Sequence, residues 1–192
     1  MAQVTIIGAG NMGQALATVV GKAGSTVQQL TSKDVDQAVT GEVVILAVPY
    51  PAVAEVLAQR GDQLAGKVVV DITNPLNFET FDSLTVAADA SAAAEIAAAL
   101  PQSRVLKAFN TNFAATLASG TVDGPQPTTV LIAGDDADAK SLLGGIVTAG
   151  GLRAIDAGPL RRARELEALG FLQITLAAGE KLPWTGGFAV VA

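Results

Sequence analysis

The chain has 192 residues, half of them hydrophobic, 16% charged and 4% aromatic, with a formal charge of −6 and neither cysteine nor histidine. That length suits one α/β domain with a core of Ala, Val, Leu and Ile, and the acidic balance argues against a nucleic-acid or anionic-membrane partner. The missing residue types remove disulfides, thiol catalysis, Cys/His metal sites and histidine-based proton relays.

The run 4–8 (VTIIG) reads as a buried strand ending in glycine, and 11–22 as a helix with Met12, Ala15, Leu16 and Val19 at helical spacing. A second strand spans 26–30 and a third 43–48 (VVILAV). Only a dozen residues separate them, too few for a full crossover helix, so a loop with at most one turn at 35–39 is expected. A helix at 51–59 begins on proline, and 67–71 (KVVVD) is a fourth strand. The Ala-rich 91–100 is helical, 105–108 is a strand, and 112–117 forms one or two helical turns. A strand at 129–133, a helix at 137–149 and a last strand at 152–156 complete the alternation. The long helix 161–178 carries Leu166, Leu169, Leu172 and Leu176 on one side, and 182–192 is irregular or weakly extended. Continuous apolar strands alternating with helices predict a doubly wound, mainly parallel Rossmann-type sheet with helices on both faces. Residues 1–192 then form a single domain, with the last helix and the tail packed on it. The chain opens directly into a strand and has no apolar run near 18 residues, so a cytoplasmic protein is expected.

Chemistry concentrates at the first strand–helix junction. Gly8-Ala9-Gly10-Asn11-Met12-Gly13 fits G-x-G-x-x-G directly after a strand and at the start of a helix. Gly8 permits the tight turn, Gly10 lets the backbone approach a pyrophosphate, and Gly13 lets helix and strand pack closely. The free N–H groups and the positive helix end then hold the phosphates of a dinucleotide. An NAD site usually has an acidic residue at the end of the second strand. Here that end reads Leu30-Thr31-Ser32-Lys33-Asp34. Hydroxyls and an ammonium suit a 2′-phosphate, which favours NADP(H), although Asp34 runs against this. Three further strand ends carry polar or aromatic groups: Val48-Pro49-Tyr50, Asn74-Pro75-Leu76 and Phe109-Asn110-Thr111. In this fold ligands lie outside the carboxyl ends of the strands, so the three loops predict one cleft.

The segments TIIGAGNMGQA (5–15), LAVPY (46–50), VVVDITNPL (68–76), VLKAFNT (105–111), AGDDADAK (133–140) and DAGPLRRARELEAL (156–169) occur in order over nearly the whole chain. Together they resemble the coenzyme F420-dependent NADP oxidoreductases, most closely the short NADP-binding, F420-reductase-like members. The resemblance implies that the phosphates sit on Ala9, Gly10, Asn11 and Met12, and the 2′-phosphate on Ser32-Lys33, where the family has Ser-Arg. It implies that Val48, Pro49 and Tyr50 flank the cofactor. Asn74-Pro75-Leu76 and Phe109-Asn110-Thr111 would approach the nicotinamide and the deazaflavin face. Hydride would pass directly between the two rings, so no catalytic side chain is required, and Tyr50, Asn74 and Asn110 are the cleft candidates. A full F420 site must also meet a polyanionic tail, and Arg161-Arg162-Ala163-Arg164 is the only local basic cluster. Two other readings stand beside this one: an NADPH-dependent reductase of another small acceptor (flavin, quinone, metal ion or imine), or a non-catalytic NADP(H) redox sensor. A homodimer is expected through the last helix and the tail.

Overall fold

Branched aliphatic residues alternate between the two faces of one sheet, and each face meets its own helices. In the computed structural model, which describes residues 2–191, β1 (Gln3–Ile7), β2 (Thr26–Leu30), β3 (Val43–Leu46), β4 (Val68–Asp71) and β5 (Arg104–Lys107) are parallel. Val43 and Ile45 of β3 join one apolar cluster with α1 (Asn11–Lys22), which contributes Leu16 and Val19. Val44 and Leu46 join another with α2 (Tyr50–Arg60) and α3 (Ala92–Ala99), which contribute Val53 and Ile96. Such two-sided burial is what uninterrupted Val/Ile strands require. The link from β2 to β3 holds only turns, as its length dictates.

After β5 the parallel run is interrupted, as a mainly parallel sheet allows. The chain forms α4 (Ala114–Ser119), then a hairpin of β6 (Thr121–Val122) and β7 (Gln126–Pro127), then β8 (Thr129–Gly134), antiparallel to β5. Six residues of α4 cannot act as a crossover helix, so the chain re-enters the sheet beside β5 running the other way. The 13-residue α5 (Ala137–Ala149) does cross over, and β9 (Arg153–Gly158) lies parallel to β8. The sheet order is β2-β1-β3-β4-β5-β8-β9. The reversal of order between β1 and β3 marks the switch point where ligands bind in such sheets.

The last helix, α6 (Ala163–Ala178), is preceded by one 3-10 turn, Leu160–Arg162. Its inner face is not the leucine stripe that spacing suggested. Ala163, Leu166, Glu167, Gly170, Gln173 and Ala177 are buried, while Leu172 is 49% exposed. The helix crosses the polar carboxyl ends of β4 and β5 rather than an apolar sheet face, and its composition follows what it covers. No helix among the described residues is long and apolar enough to cross a membrane.

Candidate active site at the strand ends

The turn after β1 is built by glycines with different duties. Gly8 has φ +123°, and a Cβ there would overlap the carbonyl oxygen of Ala47 at the end of β3. A Cβ on Gly13 would strike the carbonyl oxygen of Gly8, so the first turn of α1 rests directly on the strand end. Gly10 differs: its backbone is extended (φ −71°, ψ −174°) and nothing lies within 4 Å of where a Cβ would stand. Gly10 is the N-cap of α1 and supplies no side-chain cap, and the first turn contains no acidic residue. The leading amides of α1 therefore keep free N–H groups at the positive end of the helix dipole, as a diphosphate demands.

Two cavities meet at this turn. One, of about 310 Å³, is a trough lined by Gly10, Asn11 and Met12, by Ala47-Val48-Pro49-Tyr50 and by Ile72-Thr73-Asn74. The other, of about 430 Å³, shares Asn11, Met12, Ile72, Asn74, Phe78 and Ile174 with the trough. It extends under Phe109, Phe113 and Trp184, with Asn110 and Asn112 in its wall, and no charged side chain lines it. A third, smaller pocket of about 110 Å³ on the β2 side contains Gly8, Leu30, Thr31, Ser32, Val48, Val56 and Arg60. Its walls mix apolar side chains with Glu55, Gln59 and Arg60, and it lies beside the glycine turn at the end of β2.

The structure thus gathers most of the sequence-derived residues and leaves some outside. Lys33 is exposed beside this third pocket without lining it. Asp34 is turned away from that role. One carboxylate oxygen accepts from the Thr31 N–H (2.8 Å) and hydroxyl (2.6 Å), the other from Gln37 Nε2 (2.7 Å). The Thr31 hydroxyl and amide bonds hold its carboxyl below the ordinary carboxylate range. Tyr50 borders the trough, but its hydroxyl donates to Glu95 of α3, and burial together with that carboxylate pushes the phenol upward. Pro75, Leu76 and Thr111 are buried behind the cleft rather than in its wall. Arg161, Arg162 and Arg164 are exposed and line neither cavity.

Asn74 and Asn110 form a reciprocal amide pair at the junction of the cavities. Asn110 Nδ2 donates to Asn74 Oδ1 (2.9 Å) and to the Leu166 carbonyl (2.8 Å), and Asn74 Nδ2 donates to the Asn110 carbonyl (2.8 Å). The chain reaches this geometry through Phe109, which is buried at φ +62° in a tight turn closed by Asn110 N–H to Ala108 O (2.8 Å). A positive φ on a bulky residue is costly and persists where its surroundings enforce it. Asn112 Nδ2 donates to the Thr129 carbonyl (3.0 Å). These donor bonds fix both amide orientations and leave Asn110 Oδ1 and Asn112 Oδ1 buried without partners, as is Thr73 Oγ1 in the neighbouring trough.

Behind the pair lies a group that sequence reasoning missed. Lys107 Nζ, fully buried, contacts Asp71 Oδ2 (2.7 Å), Glu167 Oε1 (2.8 Å) and the Thr73 carbonyl (2.6 Å). Glu167 also receives the amide N–H groups of Ala92 (2.9 Å) and Ala93 (3.3 Å) at the start of α3. Burial raises the Glu167 carboxyl despite the lysine. The cluster pins β4, β5, α3 and α6 together beneath the cleft. Asp71 and Lys107 are aligned residues of neighbouring strands, so charges closing two apolar runs were the available signal. Glu167 gave none. Arg60 was also missed: its guanidinium donates to the Gln37 carbonyl (2.7 Å) and to the Asp34 carbonyl, anchoring the loop that carries Ser32 and Lys33.

A Rossmann sheet with an uncapped glycine turn at its switch point defines the dinucleotide-binding class of domain. Residues 25–75 match the family model described as NADP oxidoreductase, coenzyme F420-dependent. An F420-dependent NADP reductase of Methanocaldococcus jannaschii is 34% identical over 155 residues, covering 79% of this chain and 69% of that protein. Metalloreductase STEAP3 of Rattus norvegicus is 33% identical over 184 residues, covering 87% of this chain but 36% of that protein. The crystal structure of a proposed F420-dependent NADP reductase from Arthrobacter sp. FB24 superposes with a TM-score of 0.86 at 24% identity, covering all of both chains. The chain belongs to the F420-dependent NADP oxidoreductase family. It spans about a third of the length of the STEAP3 relative and about two thirds of the methanogen reductase.

Proposed function

We propose that the protein transfers hydride between NADP(H), held on the glycine turn, and a deazaflavin of the F420 type seated in the adjoining aromatic cavity. The observation that carries this reading is the shared wall: Met12, Ile72, Asn74 and Ile174 border both cavities, so two rings would face each other with no titratable group between them. The free amides of residues 10–13 and the open space at Gly10 fit a pyrophosphate, and Ser32 and Lys33 fit a 2′-phosphate. When bound, the nicotinamide supplies or accepts the hydride. The protein's own share is alignment and exclusion of water: apolar walls, a fixed amide pair and a helix laid across the top.

The uncharged lining favours a second reading on the acceptor side, in which a free flavin, without a polyanionic tail, is the partner. On either reading the protein is a cytoplasmic homodimer, a state supported by the exposed Leu172 and Val191 and tested by light scattering. Calorimetric titration with NADPH and NADH, followed by stopped-flow mixing with F420 or riboflavin, tests the function. Tighter NADPH binding and rapid oxidation by one of these acceptors are expected. Equal affinity for the two nucleotides overturns the 2′-phosphate assignment, and tight binding without turnover overturns the enzymatic one.

A further inference from the structure

Resting on the proposed hydride transfer, we infer that the C-terminal segment 182–188 is a working wall of the acceptor site, with Trp184 as the surface on which the acceptor ring stacks. Trp184 lines the cavity that adjoins the dinucleotide trough, and half of its surface is uncovered. Its ring packs obliquely on Phe113 (centroids 4.9 Å apart, planes at 52°), which holds it in place without covering it. A large apolar ring left open at a cavity mouth has contact area to offer a planar ligand, and aromatic stacking adds to what burial alone gives.

The segment is not a loose end, because α6 holds it. Gln173 is buried and bridges two chains of the rim: its Nε2 donates to the Thr111 carbonyl (3.2 Å) and its Oε1 accepts from the Phe188 N–H (3.1 Å). Gly187 has φ +150°, and even a Cβ there would lie 3.3 Å from Gln173 Oε1, so the tail runs close along the helix. Gly186 turns back onto Pro183 through its N–H (2.9 Å to the Pro183 carbonyl), closing the loop that presents Trp184. Further along, Arg153 donates to the Val190 carbonyl (3.3 Å). Gln173 is therefore a positioning residue for the stacking wall. It ties that wall to the loop after β5, whose Asn110 and Asn112 complete the cavity.

Trp184 is the only tryptophan in the chain, so its emission reports the site directly. With the protein saturated in NADP⁺, titration with F420 or riboflavin should quench that emission with a midpoint near the acceptor's KM in turnover. Trp184→Ala should raise the acceptor KM about tenfold while calorimetry shows NADPH affinity unchanged, and Trp184→Phe should recover most of the loss. Gln173→Leu should raise the acceptor KM in the same direction and red-shift the emission as the tail is released. Retained NADPH-dependent turnover with KM unchanged in Trp184→Ala, or no quenching at saturating acceptor, overturns this inference alone. Failure of the parent protein to bind NADPH overturns it together with the reading beneath it.

Discussion

At Gly10 and Gly13, three residues apart in one motif, the same substitution class has opposite consequences. Gly10 stands in open space with a backbone that any residue can adopt. Gly10→Val should fold with an unchanged melting temperature yet abolish NADPH binding by calorimetry, because its side chain fills the path of the diphosphate. Gly13→Ala meets the Gly8 carbonyl and should lower stability by about 1–3 kcal/mol in urea titration. Lys33→Asp should weaken NADPH by about 1–3 kcal/mol and NADH far less, the difference being the charge-assisted contact to a 2′-phosphate. In the ion cluster, Lys107→Met strands two buried carboxylates and should cost about 3–5 kcal/mol. Glu167 gives the sign of a pH effect. Its folded pKa lies above the ordinary 4.5, so from that pH upward the unfolded chain ionises first and stability is lost as pH rises. Glu167→Gln removes that loss. Its stability relative to the parent should grow as pH climbs above 4.5, then level once the native carboxyl has ionised.

At the scale of elements, α6 decides whether the cleft has a roof. Its Gly170 backs onto the amide pair, and a Cβ there would overlap Asn74 Oδ1 and approach the Asn110 carbonyl to 2.9 Å. Gly170→Ala should lift the helix from the strand ends. The measurable result is a fall in kcat larger than the loss of NADPH affinity, since Asn74 borders the trough while the leading amides of α1 are untouched. The sequence was most readable where one element makes its own case: strand 43–48 by its branched aliphatics, α1 by spacing and the glycine turn, α3 by its alanine run, which the structure shows capped by Ser91 Oγ accepting the Ala94 N–H (3.1 Å). It was least readable for α6. Leu166, Leu169, Leu172 and Leu176 carry the hydrophobic signal, yet Glu167, Gly170 and Gln173 make the contacts, each to a partner more than 50 residues away. Periodicity cannot register a helix whose docking surface is polar. Asp71 ends its strand in the sequence as in the structure, but its buried ion pair with Lys107 joins two strands and could not be read from either alone.

For the whole molecule, the reversed β8 has a reach beyond topology. Five parallel strands carry the glycine turn, the trough and the small pocket beside β2, whereas β8 meets β5 at two registered positions, Leu106 with Gly134 and Lys107 with Ala133, and shares one apolar core with α1 and α5. The β5-side wall of the aromatic cavity stands over that seam, with Asn112 bonded across it to Thr129. A substitution along so short a junction would reshape the cavity wall formed by Asn112 and Phe113, which the trough does not share. What the second cavity admits can therefore change at one side of the sheet while the glycine turn at the switch point stays as it is.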